Sequence, residues 1–267
     1  MAMESEQSHD TPLLIEPVGN AVWLILNRPE AANALSVALV RALTAAVEAL
    51  GKGALPSALV IGAKGGRSFC AGADLKERLR MTIEETHAFL DSLGGLLLAL
   101  ERFPRPVIAA ISGAAHGGGL ELALACDLRV CADHATLGLP ETRLAIIPGA
   151  GGTQRLTRLV GVGLAKDLIF TGRRVDARTA LGMGLVSRVV SAKSLDEEVD
   201  RLVGDLSVAG PLALCQAKKA IDGGVGLPLS EALALERAAY NVVLASEDRN
   251  EGLRAFSEKR PPVYRGR

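Results

Sequence analysis

The chain has 267 residues, enough for one large domain or a domain with an appendage, and no low-complexity stretch is seen in it. Thirty basic and thirty acidic residues cancel, so there is no electrostatic footprint of a general nucleic-acid or membrane-surface binder. Aliphatic and small residues dominate a 49% apolar composition holding only 3% aromatics, a surplus that suits burial against further subunits.

The first dozen residues, MAMESEQSHDTP, are polar and acidic and read as a loose tail without a targeting pattern. LLIEPVGNAVWLILNRP follows, a hairpin turning at Gly19-Asn20 and breaking at Asn27-Arg28-Pro29. A helical pattern covers Val37–Leu50, then a strand covers Ala58–Ala63, then comes the glycine-rich GAKGGRSFCAGAD. Thr82 and Glu85 form a capping box opening a long helix toward Phe103. PVIAAISG reads as a strand running into HGGGLELALACD, a glycine triplet before a short helix. LRVCAD and ATLGLP read as further strands, and from about Ser194 the pattern becomes helices broken by Gly and Pro. Strands alternating with helices predict an α/β architecture, with a core over 1–194 and a helical region over 195–267. The apolar runs stop short of a membrane span, which predicts a soluble protein.

Familiar catalytic patterns fail. GAGGTQR (149–155) lacks the P-loop lysine, and the third glycine of a dinucleotide fingerprint would fall on Gln154. There is no GxSxG elbow, the four histidines (9, 87, 116, 134) share no zinc spacing with Cys70, Cys126, Cys131 and Cys215, and no CxxC occurs. No metal and no nicotinamide are therefore expected, and the thiols read as reduced core cysteines.

Carboxylates and backbone amides remain. Glu121 sits in an apolar run, where an ionised carboxylate is costly unless paired or shifted in pKa. Glycines ahead of its helix expose the first N–H groups and let a ligand oxygen approach, the makings of an oxyanion hole. FCAGADLKER (69–78) repeats that logic, with the amide of Ala73 as a second donor, and LGLPETRLAIIPGAGGTQR places Glu141 at another strand end.

SFCAGADLKER, ISGAAHGGGLELALACDLRV and LGLPETRLAIIPGAGGTQRL, in this order, closely resemble the enoyl-CoA hydratase/isomerase (crotonase) family over nearly the whole chain. The resemblance implies a crotonase-like spiral of ββα units, with the C-terminal helices building a homotrimer or a hexamer made of two trimers. It puts oxyanion-hole amides on Ala73 and Gly118 and catalytic carboxylates on Glu121 and Glu141. Ala71, Ala73, Asp74, Leu75, Lys76 and Gly118 would contact the acyl-CoA, with Arg28, Phe256 and Lys259 near its nucleotide. The implied reaction adds water across the 2,3 double bond of a 2-enoyl-CoA, with Glu121 as base and Glu141 as acid, roles that could exchange within a coupled pair. The only coenzyme involved is the CoA of the substrate.

Rival activities are methylglutaconyl-CoA hydratase, whose branch of the family FCAGADLKER and AFSEKRPP resemble, and Δ3,Δ2-enoyl-CoA isomerase, which retention of both glutamates disfavours. RNA binding is opposed by the stretch SVALVRALTAAVEALGKGALPS (36–57), which holds one Arg and one Lys, and a non-catalytic acyl-CoA binder by the two intact glutamates. No nucleic-acid or membrane partner is expected. A cytoplasmic location is expected, or the mitochondrial matrix for a chain whose transit peptide had been removed.

Overall fold

The computed structural model describes residues 11–267. Most of the expected loose tail, residues 1–10, and with it His9, lies outside the described residues. Strands β1 (Leu13–Val18) and β2 (Ala21–Leu26) pair antiparallel across the predicted turn, where Gly19 takes a positive φ of 56°. Helix α1 (Val37–Lys52) starts on Ser36, whose hydroxyl accepts the amide of Leu39. Strand β3 (Ala58–Ala63) lies where the sequence predicts it.

A two-strand-plus-helix unit then recurs. Strand β3 leads to β4 (Ser68–Cys70), the four-residue α2 (Leu75–Arg78) and the long α3 (Ile83–Glu101). The Thr82–Glu85 capping box is present, each side chain bonded to the other residue's backbone amide. Strands β5 (Val107–Ile111) and β6 (Ala114–His116) lead to α4 (Gly118–Leu124). Strands β7 (Leu128–Ala132) and β8 (Thr136–Gly138) lead to α5 (Gly152–Val160) and α6 (Val162–Thr171). After these come β9 (Val175–Asp176), α7 (Ala177–Gly182), β10 (Arg188–Val190) and helices α8 (Leu195–Ser207), α9 (Pro211–Gly224), α10 (Leu229–Leu244) and α11 (Glu247–Glu258).

The first strand of each unit joins a six-stranded sheet ordered β1-β2-β3-β5-β7-β10, parallel from β2 onward. The second strand joins a four-stranded sheet ordered β4-β6-β8-β9. This is the ββα spiral that the resemblance implies.

Parity explains why the large sheet's strands read as unbroken apolar runs. Leu24, Leu59, Ile61, Val107, Ala109 and Ile111 face a core shared with α1, α3 and the small sheet. Their neighbours Trp23, Val60, Ile108 and Val130 face the other way, onto Leu195, Val199, Leu202 and Val203 of α8. A sheet buried on both faces has no polar alternation to display.

Two features depart from the chain-order reading. Helices are already frequent from residue 152, in α5, α6 and α7, because glycines at 151, 161 and 172 cut that stretch into segments too short for a clear period. Helix α8, placed by sequence beyond a boundary at 194, packs on the core sheet, whereas α9 and α10 pack on each other and bury no residue. No helix among the described residues is long and apolar enough to cross a membrane.

Close packing of α4 on β4 depends on Gly119, where a Cβ would stand 2.1 Å from the carbonyl oxygen of Cys70. Relief would need backbone movement in a buried element, so Gly119→Ala should destabilise by about 3 kcal/mol or more. Thermal melts should show a drop of roughly 6–12 °C, since a domain of this size loses about 2–4 °C per kcal/mol. A melting point within about 1 °C of wild type would contradict the packing described.

Candidate active site

Strands β4, β6 and β8 run parallel and end side by side, so the three turns after them share one rim. Those turns are Ala71–Asp74, Gly117–Gly118 and Pro140–Glu141.

Leu35 pairs with the first turn as a short parallel bridge. Its amide donates to the carbonyl of Gly72 at 2.8 Å and its carbonyl accepts the amide of Asp74 at 3.1 Å. The amide of Ala73, between these two bonds, finds no acceptor among the described residues. Gly72 has φ +99°, and a Cβ there would lie 2.9 Å from the carbonyl oxygen of His116 and 3.2 Å from the amide nitrogen of Gly118. That close approach brings the Ala73 and Gly118 amides together. Gly118 opens α4, so its N–H also lacks an acceptor among the described residues.

Glu121, in the first turn of α4, is only 3% exposed. Its Oε1 accepts the amides of Ala150 at 2.8 Å and Gly152 at 2.7 Å. Gly152 begins α5, so the carboxylate also sits against the positive end of that helix dipole. A Cβ on Gly152 would come within 2.9 Å of Glu121 Oε1, which accounts for glycine at that place. Burial raises the Glu121 pKa above the usual carboxylate range, opposed by the two amides and by the charge of Arg155.

Arg155 braces this loop from behind. Its guanidinium makes a forked pair with Glu101 at 2.5 and 3.0 Å and donates to the carbonyl of Ala150 at 2.7 Å. Sequence reading found neither Arg155 nor the Ala150 and Gly152 amides. The available signal was GAGGTQR itself, a glycine pair opening a helix, which serves a protein carboxylate rather than a phosphate.

Glu141 begins a short 3₁₀ turn after Pro140 and leans over Gly117, with Oε1 2.9 Å from where a Cβ would be. Its Oε2 is buried with no hydrogen-bond partner among the described residues. Burial, then the nearby charge of Glu121, pushes its pKa up to about 7. Two carboxylates, both raised and electrostatically coupled, thus sit beside two unpaired amides.

The expected CoA contacts divide into three groups. Ala71, Leu75 and Lys76 are exposed along the turn and the start of α2. Arg28 and Asp74 are engaged with each other at 2.9 Å, while Arg28 donates to the carbonyl of Ala34 and Asp74 accepts the amides of Lys76 and Glu77. Phe256, 87% exposed, and Lys259, exposed at the left-handed end of α11, are joined to the rim by no hydrogen bond among the described residues. Among the described residues no cluster of three or more His, Cys, Asp or Glu side chains could hold a metal.

The model of the enoyl-CoA hydratase/isomerase family matches residues 18–267. The human mitochondrial methylglutaconyl-CoA hydratase is 43% identical over 268 residues, covering 99% of this chain and 79% of that protein. The enoyl-CoA isomerase/hydratase fer4 of Mycosarcoma maydis is 43% identical over 253 residues, covering 91% and 92%. Among solved structures, the enoyl-CoA hydratase of Bacillus anthracis superposes with a TM-score of 0.94 at 44% identity, covering 96% of this chain and all of that one.

The raised Glu141 pKa has a consequence for stability. A carboxyl whose folded pKa lies above its unfolded value stabilises most when protonated in both states, at pH 4.5 and below. That contribution is lost as pH rises toward 7. Glu141→Gln removes the dependence, so wild type should lose stability relative to the variant between pH 4.5 and pH 7. Paired denaturation curves at the two ends of that window check this; parallel curves would show that Glu141 is not so shifted.

Proposed function

This chain belongs to the enoyl-CoA hydratase/isomerase family, and we propose from that premise how the site performs hydration of a 2-enoyl-CoA. The observation carrying the proposal is the pair of coupled, raised carboxylates beside the unpaired Ala73 and Gly118 amides. The thioester oxygen sits between those amides and gains negative charge as the β-carbon is attacked. Preorganised donors of this kind contribute about 10²–10³ in rate each.

A water lies between Glu121 and Glu141. Oε1 of Glu121 is held by the Ala150 and Gly152 amides, which leaves Oε2 as the base toward the water. The water oxygen bonds to the β-carbon while Glu121 takes its proton, and Glu141 gives a proton to the α-carbon. A pKa near 7 suits Glu141 as the acid, because a large fraction is protonated at neutral pH. The two titrate as a coupled pair, so the roles belong to the pair as much as to either residue. Carboxylates and amides supply the whole reaction, and the proposal includes no metal and no coenzyme beyond the CoA of the substrate.

Ala71, Leu75 and Lys76 are taken as contacts along the pantetheine and adenine. Arg28 and Asp74 act by holding the Ala73 turn in shape. Phe256 and Lys259 remain as proposed contacts near the nucleotide. Cytoplasm, or the mitochondrial matrix, is the compartment this reading implies.

Assembly as a homotrimer or hexamer is part of the proposal. Its support is that α9, α10 and the turn between them leave Ile221, Val225, Leu229 and Leu233 at least half exposed, apolar groups that a partner subunit could cover. Light scattering at micromolar concentration should give a trimeric or hexameric mass; a monomeric mass would remove this part.

The carboxylate pair is tested with crotonyl-CoA. Glu121→Gln and Glu141→Gln keep shape and remove proton transfer, so each should lower kcat by roughly 10²–10⁴ with acyl-CoA binding nearly unchanged. The double variant should lose much less than the product of the two factors. Turnover close to wild type in either single variant would falsify the paired mechanism.

A further inference from the structure

Arg155 stands where helix electrostatics disfavour a cation. It lies near the start of α5, at the positive end of that helix dipole, and the first turn there carries no acidic residue. The compensating carboxylates come from other segments: Glu121 of α4 at the Ala150 and Gly152 amides, and Glu101 at the end of α3. Within its own helix the charge is unfavourable, so what favours it lies in these neighbours.

The guanidinium is built into the catalytic loop. Its Nε and Nη2 donate to the two oxygens of Glu101, and its Nη1 donates to the carbonyl of Ala150. A Cβ on Gly151 would collide with Nη1, and Gly151 takes a φ of +99° that favours glycine. The guanidinium therefore lies across Gly151, between the two residues whose amides hold Oε1 of Glu121. A lysine brings a charge to this place but not the three-way fork.

The charges around the loop act in opposite senses. Arg155 opposes the burial that works against a charged Glu121. Glu101 shares the same guanidinium, so it offsets part of that effect. Glu141 faces Glu121 from the turn after β8. On the side of α9, Asp222 feels the charges of Glu101, Asp127 and Lys218. Removing Arg155 and removing Glu101 should therefore change the protonation of Glu121 in opposite directions.

We propose that Arg155 is a positioning residue for hydration, keeping Glu121 in place as the base through the 150–152 loop, with Glu101 as its anchor. The inference rests on the hydration reading for the role of Glu121. Arg155 acts through the loop and through its charge, not on the substrate itself.

Kinetics with crotonyl-CoA at about pH 6 and about pH 8 test this with Arg155→Met, Arg155→Lys and Glu101→Gln, each with a melting curve. Arg155→Met should lower kcat at the higher pH by about 10–100-fold, with KM changed less than about threefold. Its loss should be at least about threefold larger at the lower pH, because Glu121 without the cation is more readily protonated. Glu101→Gln should tilt the other way, with the smaller loss at the lower pH, because the whole charge of Arg155 then acts on Glu121. Arg155→Lys should keep the wild-type balance between the two pH values while recovering only part of kcat. A brace without this role predicts lower melting points and losses that do not depend on pH; that result overturns the inference and leaves hydration standing. A change in KM alone overturns it as well. Should Arg155→Met fail to fold, the sign of the Glu101→Gln tilt decides, and no tilt or the reverse one overturns the inference.

A readout without turnover separates the inference from the reading beneath it. The protonated-carboxyl infrared band that Glu121→Gln removes should persist to higher pH in Arg155→Met than in wild type. An unchanged band overturns the inference. If the band moves as expected but crotonyl-CoA is not hydrated, the hold of Arg155 on Glu121 stands and the hydration reading falls.

Discussion

A buried carboxylate held by two backbone amides is the interaction on which the rest of this site depends. Burial works against a charge on Glu121, and the Gly152 and Ala150 amides at its Oε1, with the charge of Arg155, oppose that effect. Those amides can reach it only because residue 152 has no Cβ. The loop stays there because Arg155 ties the Ala150 carbonyl to Glu101 at the end of α3. One oxygen of Glu121 is thereby fixed, and the other accepts no hydrogen bond among the described residues.

The same requirement, backbone brought unusually close to backbone, recurs through the small sheet. Gly72 crosses Gly117 and Gly118, Gly119 lies against Cys70, and a Cβ on Gly113 would meet the carbonyl of Arg67 at 2.5 Å. These contacts draw β4 and β6 together so that their turns present two amides to one point. A ligand oxygen needs that convergence, since a single N–H at a helix start is an ordinary unpaired donor.

Electrostatics extend from the site toward the helices that stand off the core. Lys218 of α9 pairs with Asp127 at 2.7 Å, and Asp127 in turn accepts the amide of Val107 at the start of β5. Burial raises the pKa of Asp222, also on α9, and the charges of Asp127 and Glu101 act in the same direction. Glu101 is the partner of Arg155. The face of α9 that meets the core is therefore charged, while the exposed part of α9 and α10 is rich in apolar groups.

Much of this protein was legible in the residues. The hairpin at Gly19, the strand at Ala58–Ala63 and the capping box at Thr82 follow from local chemistry, because each is decided by residues a few positions apart. The turns holding Ala73 and Gly118 and the carboxylates of Glu121 and Glu141 stand out along the chain too, since glycine-rich turns at strand ends and acidic residues in apolar runs are anomalies that local folding does not explain. What sequence could not decide were the groups whose partners are distant: the clamp from residues 150 and 152 onto Glu121 and the brace from Glu101 to Arg155. A salt bridge and a missing one look identical along a chain, because the difference is whether another segment arrives within hydrogen-bond distance. Nor does the chain order reveal that α8 completes the core sheet while α9 and α10 remain exposed, as amphipathic helices carry apolar faces in either case. The sequence determined which groups were available for chemistry, and only the tertiary structure decided which of them meet, because pairing is a matter of distance in space.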